Sequence, residues 1–349
     1  PITKSRVLST MSVNQTQMTH RDSDEQNIFE ERKHLKPYEY NDFLDYTDAI
    51  RNSYWVHTEF NFQGDVQDFK VDTTDVEKSV IRKTMLAIAQ IEVKVKTFWS
   101  DIYEQMPKAE IGSVGMTFAE SEVRHMDAYS HLLDILGIED DFEEVTEVPA
   151  IKSRMEYLEK YLQGAGSENE EEYARSILLF STFVEHVSLF SQFLIMTSFD
   201  KYEKKFKGIS NAVEATSKEE QIHGLFGQEL VETIKEENPD LFGERFEADV
   251  QEACQEAYEA EMEILDWIFS EGELDFLPRE NVDEFMKDRF NQSLENVDVE
   301  PIFDTDDDVL DEVRWFDEDI MMTKDNDFFS KRSTTYNKHT TSVTTDDMF

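Results

Sequence analysis

The chain contains a single cysteine, Cys254, so no intramolecular disulfide can form and no cysteine-rich zinc or iron–sulfur site can be built. A reducing compartment, the cytoplasm, fits that composition. Glycine and proline are scarce, 11 and 7 in 349 residues, less than half the usual share, and few turn formers imply long elements. Positive charge is short as well: 34 Lys and Arg face 78 Asp and Glu, a formal charge of −44. Nucleic acid and anionic membrane surfaces would repel such a chain, so neither is an expected partner. The first 25 residues hold no apolar run of signal-peptide length. The stretch Ser176 to Phe199 is apolar enough to suggest a membrane span, but Glu185 and His186 interrupt its middle. A core helix carrying a functional carboxylate is the better reading.

What is present is enough for a large core: 39% hydrophobic residues, including 26 Phe. From Val76 to Met106 the apolar positions Val80, Ile81, Met85, Ile88, Ile91, Val95 and Phe98 recur at three- and four-residue spacing, which predicts one long helix ending before Pro107. Further helices are expected over Ile111 to Leu136, ending at Gly137, and over Ile151 to Leu162, Asn169 to Phe199, Phe206 to Glu237, Leu241 to Phe269 and Arg279 to Leu294. No stretch keeps the period-two alternation of a sheet, so the expected fold is an all-helical bundle with long helices. Three divisions follow. Residues 1–35 are a polar, flexible arm, 36–325 form the folded domain, and 326–349 are a polar tail ending in Asp346, Asp347, Met348 and Phe349. That tail is either a frayed end or a peptide that docks into a partner's groove.

Glu-x-x-His puts a carboxylate and an imidazole one turn apart on the same helix face, where both can reach one metal ion. The motif occurs at Glu31 to His34, Glu122 to His125 and Glu220 to His223. About one copy is expected by chance in a chain this rich in Glu, so context decides. The first copy lies in the polar arm and is assigned to chance; the other two lie within long helices. Glu92 and Glu185 sit in apolar stretches of two further helices. An ionised, unpaired Glu there would cost several kcal/mol, so each calls for a cationic partner. Taken in order, four helices offer Glu, Glu-x-x-His, Glu and Glu-x-x-His, the ligand pattern of ferritin-like dinuclear carboxylate proteins. Four carboxylates and two divalent ions balance in charge when the imidazoles are neutral. An oxygen-rich set with two imidazoles suits manganese or iron better than zinc or copper. Tyr129 follows His125 by four residues and Lys96 follows Glu92 by four, each on the ligand-bearing face. A core tyrosine and a surface ion pair are the plainer accounts of these two.

These residues resemble the small, radical-generating subunit of class I aerobic ribonucleotide reductase. The likeness rests on Phe118-Ala-Glu-Ser-Glu122-Val-Arg-His125-Met-Asp-Ala-Tyr129, on Phe183-Val-Glu185-His and on Ser217-Lys-Glu-Glu220-Gln-Ile-His223, and it covers about residues 36 to 325. It implies that Glu92, Glu122, His125, Glu185, Glu220 and His223 are the metal ligands and that Tyr129 occupies the radical-tyrosine position. It implies electron-transfer roles for Trp55, for Glu219, where many members have Asp, and for Tyr336 in the tail. It also implies a homodimer whose C-terminal peptide binds a large catalytic subunit that reduces ribonucleotides to deoxyribonucleotides.

Glu92 in place of the more common Asp, Glu219 and Lys96 are departures that resemble the class Id subgroup. For that subgroup the resemblance implies a dimanganese centre oxidised by superoxide, with Tyr129 dispensable; a di-iron centre is the alternative. Two other readings of the same bundle are a dinuclear-metal oxygenase or oxidase acting on a bound small molecule, and a ferritin-like metal store. The first would need an apolar substrate tunnel and has no use for Trp55 or the tail; the second would need surface carboxylates that guide ions into a hollow assembly.

Overall fold

The computed structural model describes residues 26–321 apart from Lys94 and Glu168. Nine longer helices are present among the described residues: α1 (Leu44–Asn52), α2 (Asp75–Ile91), α3 (Val95–Gln105), α4 (Ala109–Leu136), α5 (Pro149–Ala165), α6 (Glu170–Glu203), α7 (Lys207–Glu237), α8 (Phe246–Ile268) and α9 (Arg279–Glu295). The same residues contain no strand, only an isolated bridge between Leu274 and Leu277. The bundle is all-helical, as the spacing predicts, and its core runs continuously through every long helix.

Local chemistry sets the ends. α2 opens with a capping box in which Thr74 Oγ1 accepts from the Glu77 backbone N–H (3.2 Å) and the Glu77 carboxylate accepts from the Thr74 N–H (2.6 Å). α4 stops at Gly137, whose φ of 74° is the left-handed geometry that glycine adopts without strain. The first amides of α7 are taken up from outside the helix: Asp65 accepts from Gly208 (3.2 Å) and Ile209 (2.7 Å). α6 begins at Asn169, which caps it, followed by Glu170, Glu171 and Glu172, whose charges favour a helix start.

Two expected helices differ from the structure. The single helix from Val76 to Met106 is divided into α2 and α3, because the chain leaves the helix at Glu92 and resumes at Val95. Ile91, Val93 and Val95 are β-branched and alternate through this stretch, so helix propensity is at its weakest where Glu92 sits. The helix around Glu185 is continuous from Glu170 to Glu203 but changes type, with a π-helical segment over Phe180–Ser188 and another over Phe199–Glu203. It is long and apolar enough to cross a membrane, yet its apolar window is wholly buried inside the protein, so it is a core helix.

Residues 26–35, placed in the arm by composition, lie on the bundle. Ile28 is fully buried, and the buried Arg32 guanidinium pairs with Glu110 at the start of α4. The Glu110 carboxylate also accepts the Glu39 and Tyr40 amides (2.9 and 3.1 Å).

Close approach matters most between α6 and α7. A Cβ on Gly227 would collide with the Cβ and hydroxyl of Ser181 in the π segment. Gly227→Ala is therefore expected to cost roughly 1–3 kcal/mol through overpacking, read as a lowered melting temperature of metal-free protein; an unchanged midpoint would contradict this packing.

Candidate metal centre

α2, α4, α6 and α7 converge on one point in the core. Glu92 closes α2, Glu122 and His125 face inward from α4, Glu185 comes from the π segment of α6, and Glu220 and His223 come from α7. All six are 2% exposed or less. Their ligand atoms fall into two overlapping groups, each lying within 4.8 Å: Glu92, Glu122, His125 and Glu220 in one, and Glu122, Glu185, Glu220 and His223 in the other. Glu122 and Glu220 belong to both, so either could serve both groups if ions were bound. Glu92 and Glu185 each belong to one.

Hydrogen bonds orient both imidazoles. The Ser121 hydroxyl donates to the Phe118 carbonyl (2.8 Å), so its 2.9 Å contact with His223 Nε2 has the ring N–H as donor. His125 Nε2 lies 2.8 Å from the Glu219 carboxylate, which can only accept. Each ring is thus held by its Nε2–H and turns Nδ1 toward the carboxylates. His125 Nδ1 is 2.9 Å from Glu220 and 3.3 Å from Glu122; His223 Nδ1 is 3.0 Å from Glu122, 3.3 Å from Glu220 and 3.5 Å from Glu185. On the opposite side Trp99 Nε1 donates to one Glu185 oxygen (2.9 Å), leaving the other to face His223. A support shared between each ligand and an outer group is how metal sites fix tautomer and ring angle.

The donor set fits two divalent cations. Both Glu122 oxygens, Glu220 Oε1 and the Nδ1 atoms of both histidines are buried without a well-aligned hydrogen bond, and leaving such atoms so in a dry core is costly. Burial, then the neighbouring carboxylates, drives the Glu92 and Glu185 carboxyls well above the ordinary range. Burial pushes both imidazoles down, but the close approach of Glu122 and the other carboxylates outweighs it and holds them well above theirs. Glu220 is held low against its burial by His125 and His223. Without an ion the cluster therefore favours added protons.

Tyr129 is buried on α4, and burial first, then the Glu92 carboxylate, raises its phenol. The Trp55 ring stacks on His125 at 5.8 Å and 15° between planes. Glu219 is wholly buried and links His125 to Arg124, whose two terminal nitrogens each donate to it at 3.2 Å. Arg124 also donates to the Trp55 carbonyl (3.1 Å) and lies over the Tyr54 ring at 4.5 Å. The Lys96 side chain and Tyr336 lie outside the described residues. Sequence reasoning missed Arg124, Trp99 and Ser121. Trp99 follows Glu92 by seven residues, a same-face spacing in an unbroken helix, and that was the available signal. A cavity of about 490 Å³ on the far side of α5, α6 and α8, lined by Lys160, Arg175, Asp249 and Glu256 among others, touches none of the six ligands.

An all-helical bundle whose core gathers four glutamates and two histidines into a double ligand set defines a ferritin-like dinuclear carboxylate protein. Comparison with known proteins narrows this. The sequence matches the family described as "Ribonucleotide reductase, small chain" over residues 32–313, and the chain belongs to that family. It is 25% identical over 326 residues to the "Probable ribonucleoside-diphosphate reductase small subunit 048L" of Invertebrate iridescent virus 3, covering 89% of this chain and 86% of that one. The fold is shared with the ribonucleotide reductase R2 subunit from Clostridium botulinum (TM-score 0.70, 18% identity, 76% and 84% of the two chains). It is shared too with Streptococcus sanguinis dimanganese(II)-NrdF (TM-score 0.68, 16% identity, 82% and 98%).

The site has a pH signature. Glu92, Glu185, His125 and His223 all bind protons more tightly folded than unfolded, so each adds stability as pH falls through its raised value. Metal-free protein should therefore gain melting temperature from roughly pH 8 to pH 6, while the metal-loaded form should release ions over the same interval as protons compete for the same atoms. Thermal melts at both pH values, with and without chelator, check this; a metal-free form that loses stability on the way down would contradict it.

Proposed function

We propose that the protein is the radical-generating subunit of a ribonucleoside-diphosphate reductase, working as a homodimer with a separate large catalytic subunit. Glu92, Glu122, His125, Glu185, Glu220 and His223 would hold two metal ions, manganese favoured and iron the alternative. When bound, the metal pair supplies the one-electron oxidant. The chain's own residues do the rest.

The observation that carries the reading is the parallel stack of Trp55 on His125. It gives the ligand sphere a conducting contact that leads outward, past Arg124 to the exposed ring of Tyr54. Glu219 accepts from His125 and Arg124 together and so keeps that stack aligned. Charge leaving toward Trp55 passes a carboxylate and a guanidinium that nearly cancel, so the path has no strong electrostatic barrier. Phe118 and Trp99 crowd His223, with the Phe118 ring 4.2 Å from the imidazole, and Phe226 packs behind both, excluding water from an oxidant that stray reductants would quench. Beyond Trp55 the route would continue through Tyr336 of the tail, whose final Asp346, Asp347, Met348 and Phe349 would dock in the large subunit. Lys96 and Tyr129 would tune the first ligand group. Glu92, Glu219 and Lys96 together favour the class Id type, in which superoxide is the activating oxidant.

A second reading has a specific motive: the fold is also shared with an R2-like ligand-binding oxidase carrying a Mn/Fe cofactor (TM-score 0.64, 18% identity, 74% and 93% of the chains). Such an enzyme needs an apolar substrate cavity at the metals and has no need of Trp55 or a docking tail.

Removal of residues 330–349 separates the two. Reductase activity with a supplied large subunit should fall to background while metal loading persists; retained reductase activity would sink the tail assignment. Trp55→Phe should lower turnover by orders of magnitude with the ligand set intact, and full activity in that variant would remove Trp55 from the route. Electron paramagnetic resonance of Mn(II)-loaded protein after superoxide should give a manganese-coupled multiline signal that survives Tyr129→Phe. A narrow organic radical found only in an iron-loaded sample, and lost in Tyr129→Phe, would instead assign the conventional tyrosyl type.

A further inference from the structure

Glu185 is carried by a π-helical segment of nine residues, Phe180–Ser188, longer than the single turns in which this geometry usually occurs. Side chains from α5 and α9 bind this segment, and a carboxylate of α8 braces the first of them. Arg154 of α5, fully buried, donates to the Ser188 carbonyl (3.2 Å) and to the Ala87 carbonyl of α2 (3.1 Å). Its charge is met by the equally buried Glu261 of α8 (2.5 Å), and Tyr157 donates to the same carboxylate (2.8 Å) and touches the Ser188 hydroxyl. That hydroxyl donates back to the Phe183 carbonyl (3.0 Å). From the other side Arg289 of α9, also buried, donates to the His186 carbonyl (3.0 Å), and Ser293 bonds the His186 ring (2.6 Å). Three carbonyls that flank Glu185 are thus each bonded by a side-chain donor.

A buried Arg–Glu pair is a poor source of stability, because the cost of drying two charges consumes most of the attraction. What the Arg154–Glu261 pair does supply is direction: a planar fork that holds backbone atoms of α2 and α6 at fixed separation. The two contacts differ in what they hold: Ala87 lies within the regular α-helical part of α2, whereas Ser188 lies in the π segment that carries Glu185, so the lock bears on Glu185.

We infer that Arg154, with Glu261 and supported by Arg289, is a positioning element that locks the π register of α6 and so aims Glu185 at the second ion. This rests on the reading of Glu185 as a metal ligand. In an α-helical register the same segment would turn Glu185 through a large part of a turn, away from His223 and Glu220. The first ligand group lacks Glu185, so loss of the lock falls on one ion and spares the other.

The test replaces the pair by apolar residues of similar volume, Arg154→Met with Glu261→Met, a change that buried ion pairs often tolerate. Mn(II) binding to the full chain is followed by equilibrium dialysis with metal analysis. Wild type should hold two ions per chain. The double variant should hold one with near-native affinity and bind the second about ten- to a hundred-fold more weakly, the usual effect of losing an outer support. Its Mn(II) resonance should change from an exchange-coupled pair to an isolated ion at matched loading. Ser188→Ala, which removes one hydroxyl and leaves Arg154 paired, should weaken the same ion by less and serves if the double variant does not fold. Two ions with unchanged affinity, or equal weakening of both, would overturn the inference. Should wild type itself hold fewer than two ions, the metal reading fails with it, and that outcome appears without any substitution.

Discussion

Four glutamates packed against one another in a dry core are the constraint on which the rest of the molecule depends. Like charges at such distances cannot all remain ionised unless cations lie between them. In the metal-free protein burial and neighbouring carboxylates raise Glu92 and Glu185, and the carboxylates raise the two histidines against their burial, so the cluster favours bound protons; two divalent ions would meet the condition without them. The long helices, the scarcity of turns and the aromatic packing around His223 serve to keep that cluster enclosed. The outer residues each fix one degree of freedom: Ser121 and Glu219 set the tautomers, Trp99 fixes one oxygen of Glu185, and Arg124 anchors Glu219.

The same cluster explains why the site is asymmetric. The His125 side opens through the stacked Trp55 ring toward Arg124 and the exposed Tyr54. The His223 side is closed by Phe118, Trp99 and Phe226 and backed by the π segment of α6. Under the proposed function, one ion would face the way out through Trp55 and the other a closed apolar wall.

Much of this was legible in the sequence because it depends on local spacing. Glu122 with His125 and Glu220 with His223 are one helical turn apart, and Glu92 and Glu185 are conspicuous as charges within apolar stretches, so residue type and period were enough to bring them together. The rest depends on tertiary partners that no local pattern encodes. The carbonyls around Glu185 are met by donors from α5 and α9, Arg154 and Arg289, each more than thirty residues away along the chain. The break at Glu92 arises among β-branched residues whose apolar spacing still reads as one helix. Ile28 and Arg32 read as part of a charged arm because the buried Glu110 that holds Arg32 lies far along the chain.

Anomalous diffraction at the manganese edge, from crystals grown with Mn(II), tests the central claim most directly. The account predicts two peaks per chain, one among Glu92, Glu122, His125 and Glu220 and the other among Glu122, Glu185, Glu220 and His223. A single peak, or an empty ring with the histidines paired to the carboxylates, would contradict it.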